Sequence, residues 1–229
     1  MIDWHSHILP NLDDGSRSVR ESVEILHLQA AQGVETVIAT PHFYAGEEDV
    51  EHFLNRREKS FQHLKEEIPP GFPKVLLGAE VRYYSGISQL KNIRSLCIEG
   101  TSLLLLEMPF SEWTEYTVRE VINLAHSGSL TIILAHIERY FGFQNKEVWK
   151  RFKESGILMQ VNASFFLKWK TRRKALRLLK AADVRFVGSD CHNTVSRPPR
   201  IGEAFDIIQK KFGERFLFQI QEYGYSLLN

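Results

Sequence analysis

His5 and His7 stand two positions apart at the end of an apolar opening segment, Met1-Ile-Asp-Trp4. In an extended chain residues i and i+2 point to the same side, so the two imidazoles converge on one point. Neutral imidazole is the commonest protein metal ligand, and the chemistry implied is metal binding. The device then recurs: His42, Glu80, Glu107, His136 and Asn162, then Asp190 and His192, close the later apolar segments. Asp13-Asp14-Gly15 lies in the first loop. Any one of these has a bland explanation, since a strand-end histidine can cap a carbonyl and Asp-Asp-Gly can be a turn. Six of seven segments ending in a metal-capable residue is not turn chemistry, and the recurrence implies a multinuclear metal site.

The elements that must carry these residues alternate between strand and helix. Met1–Trp4 reads as a strand. Ser18-Val-Arg-Glu21 is a capping box, followed by helical spacing of Val19, Val23, Leu26 and Ala30 up to Gly33. Strand Thr36–Thr40 leads to His42, and a polar helix over Asp49–Glu67 ends at Pro69-Pro70-Gly71. Strand Val75–Leu77 runs into Glu80, and Ser102–Leu106 delivers Glu107. A helix Thr114–His126 precedes strand Thr131–Ala135 and His136. A helix Lys146–Ser155 precedes strand Leu158–Val161 and Asn162. A helix Arg172–Ala182 precedes strand Arg185–Gly188, which delivers Asp190 and His192, and Ile201–Phe212 is helical. Strands such as Leu103–Leu106 are apolar throughout, as when both faces of a parallel sheet are buried. Seven βα units without a composition break predict one α/β domain, a closed or nearly closed (β/α) barrel with its function at the C-terminal ends of the strands.

At 229 residues, 43% hydrophobic and 25% charged, the composition is that of an ordinary soluble globular protein. A formal net charge of +1 gives no sign of a general nucleic-acid or membrane-surface binder. Cys97 and Cys191 are too few for a disulfide framework and fit a reducing cytosol. No secretory signal and no membrane-spanning run is read, so the expectation is a cytoplasmic protein. The basic stretch Lys168–Lys174 reads as a solvated helix start.

Several blocks together carry a family resemblance across nearly the whole chain. These are His5-Ser-His-Ile-Leu-Pro10 with Asp13-Asp-Gly15, Thr40-Pro-His42, Gly78-Ala-Glu80, Ala135-His-Ile-Glu-Arg-Tyr140, Gln160-Val-Asn162, and Ser189-Asp-Cys-His-Asn193 with Arg197-Pro-Pro199. They resemble the polymerase-and-histidinol-phosphatase (PHP) superfamily, and within it the bacterial manganese-dependent protein-tyrosine phosphatases of capsule and exopolysaccharide synthesis. The resemblance implies a distorted (β/α)7 TIM-like barrel, a single PHP-type domain over 1–229, and three divalent metal ions, Mn2+ first, with Fe or Zn as alternatives. One ion would be held by His5, His7, Glu80 and Asp190. A second would share Glu80 and add Glu107 and His136, and a third would take Asp14, His42 and His192. Three divalent ions against four carboxylates leave two positive charges, matching a phosphate dianion. The implied reaction is in-line attack of an activated water on phosphorus, with Arg139 and Arg197 as phosphate clamps. The implied partner is a phosphotyrosine protein, a bacterial tyrosine kinase. Another phosphoesterase of the superfamily, or a non-catalytic binder of a kinase tail, are the alternative readings.

Some roles stay open at this level. Asp13 is read as shaping the loop and Asp14 as the ligand, although the two could be exchanged; Arg200 can stand in for Arg197, and Asn162 fits a ligand-orienting role. His27, His52, His63 and His126 fall on helices as surface or packing residues. Tyr44, Phe110, Trp113 and Tyr140 near the mouth could stack on a phosphotyrosine ring or simply pack. Cys191 and Arg197 match Cys-x5-Arg by spacing, but no glycine cradle lies between them, and the match reads as coincidence.

Overall fold

The alternation of apolar runs and capped helices is realised in a computed structural model that describes residues 1–128 and 130–228. In chain order the elements are β1 (Ile2–Ser6), α1 (Val19–Ala31), β2 (Thr36–Ala39), β3 (His42–Phe43), α2 (Val50–Lys65), β4 (Lys74–Leu77) and β5 (Glu80–Arg82). There follow β6 (Leu103–Glu107), α3 (Glu115–His126), β7 (Thr131–Leu134), α4 (Lys146–Glu154), β8 (Leu158–Asn162) and α5 (Ala163–Leu167). The last are α6 (Trp169–Lys180), β9 (Phe186–Gly188), α7 (Ile201–Phe212) and α8 (Glu214–Leu228). Helix starts follow from capping, because the first N–H groups need acceptors. Ser18 Oγ accepts from Glu21 N at 3.1 Å, and Glu21 reaches back to Arg17 N at 2.8 Å. Asp49, Thr114 and Asn145 do the same for α2, α3 and α4.

The strands pair in parallel in two sheets, ordered β1-β2-β4 and β3-β5-β6-β7-β8-β9. The strands expected at Thr36–Thr40 and Val75–Leu77 are present, and each resumes after a short break as a second strand, β3 and β5. The first breaks at Thr40-Pro41, where proline has no N–H to donate, and the second at Gly78-Ala79. Hydrogen bonding continues across both breaks: Gly78 N donates to Ala39 O at 2.8 Å, and Glu80 N to Pro41 O at 3.0 Å. One sheet therefore passes into the other along the same segments. On the far edge of β1, His7 N donates to Cys191 O at 2.9 Å and Asp190 N to His5 O at 2.8 Å.

The buried apolar side chains form two sets that alternate along the strands. Leu103 and Leu105 on β6 join Ile2, Trp4, Ile38, Leu76, Ile133 and Phe186. Leu104, Leu106, Ile132 and Leu134 belong to the larger set beneath the helices. Both faces are thus dry, which explains the uninterrupted apolar runs. Helix α8, which the ligand pattern does not foreshadow, covers the smaller set with Tyr223, Tyr225, Leu227 and Leu228. Gln221 Oε1 accepts from Ile2 N at 3.2 Å, tying α8 to β1. The helix expected from Arg172 starts earlier, at Trp169, and follows the short α5. No helix among the described residues is long and apolar enough to cross a membrane.

Candidate metal centre

The first strand is bent to aim its histidines. The register of β1 against β2 shifts between Asp3 and Ser6, and such a bulge re-aims the side chains that follow it. The buried Asp3 carboxylate supports the shift, accepting from His5 N at 3.3 Å, Ser189 N at 2.7 Å and Gln29 Nε2 at 2.8 Å. Glycines let the neighbouring backbone close in. A Cβ on Gly188 would strike His5 Cβ, and one on Gly15 would strike His7. His136 and Asp190 both take left-handed backbone, φ 32° and 53°, which turns each away from the strand line at its end.

The nine expected ligand residues come together. His5 Nε2 and His7 Nε2 lie 3.1 Å apart. Glu80 Oε2 is 3.2 Å from the first and 3.3 Å from the second, and Asp190 Oδ1 is 3.7 and 3.5 Å from them. His136 Nε2 is 2.7 Å from Glu80 Oε1 and 3.5 Å from Glu107 Oε1. Asp14 Oδ1 is 3.5 Å from His42 Nε2 and 3.3 Å from His192 Nε2. A divalent ion with bonds of about 2.1 Å spaces its ligands by about 3.0–3.5 Å, so these separations suit shared cations. Four overlapping groups of this kind occur among the described residues: His7, Asp14, His42 and His192; His5, His7 and Asp190; His5, Glu80 and His136; His42, Glu80 and Glu107.

The imidazoles are also oriented from behind. His7 Nδ1 meets Asp13 Oδ2 at 2.7 Å, His5 Nδ1 meets Gln160 Oε1 at 3.4 Å, and His192 Nδ1 meets Asp190 O at 3.1 Å. His136 Nδ1 faces the Tyr140 hydroxyl at 3.3 Å. With Nδ1 occupied, each ring directs the Nε2 lone pair into the cluster, the arrangement that outer partners impose on metal-binding histidines. His192 Nε2 is buried and has no hydrogen-bond partner, and neither has His42 Nδ1. Two lone pairs facing each other at 3.1 Å on His5 and His7 repel unless a cation or proton stands between them. The donor set and these orphaned nitrogens fit divalent metal ions.

Electrostatics without cations point the same way. Burial alone would depress the imidazolium of His7, yet Asp13 and Glu80 outweigh it and raise His7 well above its ordinary value. His5 is raised too, against burial, by Glu80 and Asp190. Burial favours a neutral Glu80, but His5, His136 and His7 hold it well below the carboxylate range. Glu107 is raised by burial and by the charge of Glu80. Burial, with His7 nearby, lowers His192 to about 4. Glu80, Glu107 and Asp190 are buried acids short of positive charge; His5 and His7 are drawn into supplying it, while burial holds His42, His136 and His192 below their ordinary value.

The residues of the open pairs lie in different surroundings. Asp13 sits behind His7 and also accepts from His42 N at 2.9 Å, whereas the exposed Asp14 reaches His42 and His192. Arg139 pairs with Asp190 Oδ2 and Arg197 Nη2 with Asp190 Oδ1 at 2.8 Å, both side chains 37% exposed at the rim. Arg200 is paired with Glu203, at 2.5 and 2.6 Å. Asn162 Nδ2 donates to Asp190 Oδ2 at 2.7 Å. Cys191 is fully buried, and burial with Asp3 nearby pushes its thiol far up, which suits no nucleophile.

Four supporting residues have no role in the sequence reading. Gln160 accepts from His136 N at 2.6 Å and donates to Asn162 Oδ1 at 3.0 Å, and its place in Gln160-Val-Asn162 was the available signal. Arg82 Nη1 donates to Glu107 Oε2 at 2.7 Å. Asp3 holds the bulge described above, and Glu138 accepts from Asn162 N at 3.2 Å. Apart from Gln160 with Asn162 and Asp3 with His5, their contacts named above span 24 to 186 positions.

Known proteins are similar to this chain over most or all of its length. The family model for capsular polysaccharide synthesis, CpsB/CapC, matches residues 1–223. The tyrosine-protein phosphatase YwqE of Bacillus subtilis is 32% identical over 237 residues, covering 100% of this chain and 91% of that protein. The tyrosine-protein phosphatase CpsB of Streptococcus pneumoniae is 34% identical over 240 residues, covering 94% and 92%. Among solved structures, one chain from the crystal structures of YwqE from Bacillus subtilis and CpsB from Streptococcus pneumoniae, described as metal-dependent tyrosine phosphatases, matches with a TM-score of 0.84 at 29% identity, covering 100% of this chain and 94% of that chain. A histidinol phosphate phosphatase from Lactococcus lactis shares the fold, with a TM-score of 0.55 at 14% identity. The chain belongs to the CpsB/CapC family of capsular polysaccharide synthesis proteins.

Proposed function

We propose that this chain is a metal-dependent protein-tyrosine phosphatase acting on phosphotyrosine of a bacterial tyrosine kinase that controls capsule or exopolysaccharide synthesis. The carrying observation is that imidazole nitrogens and four carboxylates, all buried but that of Asp14, converge on one cluster whose rim holds two guanidiniums. We assign three sites: His5, His7, Glu80 and Asp190; Glu80, Glu107 and His136; Asp14, His42 and His192. Mixed nitrogen and oxygen donors suit Mn2+, with Fe and Zn as competitors. When bound, such ions supply Lewis acidity and an activated water for in-line attack on phosphorus.

The chain's own residues do the rest. Asp13, Gln160 and Asn162 fix the ligands. Arg139 and Arg197, anchored on Asp190 and part-exposed, offer forked N–H donors to the non-bridging oxygens of a phosphate. The leaving phenolate of tyrosine, with an ordinary pKa near ~10, needs little help from a strong acid. The fold reading is a single-domain, distorted (β/α)7 barrel with the site at the strand ends. It is supported by the passage of β2 into β3 and of β4 into β5, and by the bonds from β1 to the segment after β9. The free Cys97 and Cys191 favour a cytoplasmic setting.

The test is phosphate release from a phosphotyrosine peptide with Mn2+, with and without chelator. Turnover that chelation abolishes and added Mn2+ restores is the expected result. Binding of the peptide by metal-loaded protein without release would make the chain a regulator, and a preference for small alkyl phosphates would make it another kind of phosphoesterase.

A further inference from the structure

The four aromatic residues near the mouth separate into two kinds. Trp113 and Tyr140 are 6% and 0% exposed, and both are tied inward. Trp113 Nε1 donates to Pro109 O at 2.9 Å, and the Tyr140 hydroxyl accepts from Met108 N at 3.0 Å. Tyr44 is half-buried, its ring 5.3 Å from that of His42. Phe110 is 40% exposed, and its ring lies 6.1 Å from His136 and 5.6 Å from Tyr140, tilted by 28° and 25°. Two guanidiniums also bear on it, Arg82 at 5.2 Å and Arg139 at 5.9 Å from its centroid. A single exposed phenylalanine is ordinary. This one is held by residues whose other contacts are the cluster itself: Arg82 with Glu107, Arg139 with Asp190, and His136 with Glu80.

The geometry points to Phe110, carried by Arg82 and Arg139, as the residue that receives the aromatic ring of the substrate and so sets a preference for aryl over alkyl phosphate esters. This rests on the phosphatase reading above. His5, His7, Glu80, His136 and Asp190 are all 4% exposed or less, so phosphorus must pass below the rim to meet them. A phosphotyrosine side chain is long enough to leave its peptide backbone outside, and its ring then crosses the rim at the level of Phe110. There it meets a phenyl ring for offset or edge contact and guanidinium planes that favour a second π face. An alkyl ester offers neither and forfeits both.

The experiment uses the full chain loaded with Mn2+ and two probes of matched charge, phenylphosphonate and methylphosphonate, titrated by calorimetry. Alongside, kcat and KM are measured for a phosphotyrosine peptide. Phe110→Ala should weaken phenylphosphonate by about three- to tenfold and shift methylphosphonate by less than about twofold, with the peptide loss falling mainly on KM. Phe110→Tyr should restore phenylphosphonate binding, and retained methylphosphonate binding shows that the site is still folded. Equal weakening of both probes, or no change in either, would overturn the inference. A wild-type protein that binds both probes yet releases no phosphate from the peptide overturns the phosphatase reading instead, and the two binding constants still judge Phe110.

Discussion

Asp13 and Asp14 are adjacent, yet one stands behind a histidine and the other in front of two. Asp13 Oδ2 accepts a hydrogen bond from His7 Nδ1 at 2.7 Å, which fixes the tautomer that frees Nε2. Removing such an outer partner lowers metal affinity about 10- to 100-fold. Asp13→Asn should therefore show that loss in a competition titration of Mn2+ against a chelator; unchanged affinity would return Asp13 to a turn residue. Glu138 makes a different prediction. Part of the residue reaches solvent, but its Oε2 is buried without a partner, and burial pushes the carboxyl from 4.5 to about 7. A raised acid stabilises the fold fully below its ordinary value, and that stability is lost as pH rises through about 7. Glu138→Gln should flatten the fall in melting temperature between the two values and gain on the order of 2 kcal/mol at pH ~8. A variant whose melting curve tracks the wild type across that window would show that Glu138 titrates normally. Neither role is legible locally, because acidic residues look alike until their partners are placed.

At the scale of elements, β1 is the part whose shape decides most. The sequence shows His5 and His7 on one side of an extended run, and their Nε2 atoms do meet. The register shift that lets Ile2 and Trp4 fill the core while both histidines reach the cluster depends on Asp3, Ser189 and Gly188. Gly188→Ala would bring a methyl group to 2.5 Å from His5 Cβ and 2.9 Å from both His5 N and Gln160 Nε2; the glutamine end can swing aside, but the His5 backbone cannot. We expect a loss of about 1–3 kcal/mol by denaturant titration, together with weakened Mn2+ binding. Full stability with full binding would mean that β9 can shift freely. The short continuations β3 and β5, and α8, escaped the sequence reading. Proline and glycine interrupt the ladder without ending the alignment, and α8 carries no ligand to draw attention to it.

At the scale of the molecule, the ligand cluster joins the ends of segments from both sheets. Cations that bind only the folded state add RT ln(1 + [L]/Kd), about 2.7 kcal/mol at a hundredfold excess over Kd. For a chain of this size chelation should then lower the melting temperature by about 5–10 °C. The drop should be larger at pH ~8 than at pH ~6. Glu80 and Asp13 raise the protons of His5 and His7, so those protons stabilise the metal-free fold at low pH and are lost as pH rises. A chelator that leaves the melting curve in place at both values would sink the metal assignment.

The sequence alone determined the alternation of strands and helices and the residue types at the strand ends. Those follow from local periodicity, capping and the chemistry of single side chains. It did not determine which of two adjacent aspartates faces the cluster, which of two arginines reaches it, or which aromatic residue stays at the rim. Nor did it show that Gln160, Asp3 and Arg82 hold the ligands in aim. Those choices rest on contacts between residues far apart in the chain, with Asp3 meeting Ser189 and Gln160 meeting His136. Such contacts exist only once the strands have paired, so only the tertiary structure could decide them.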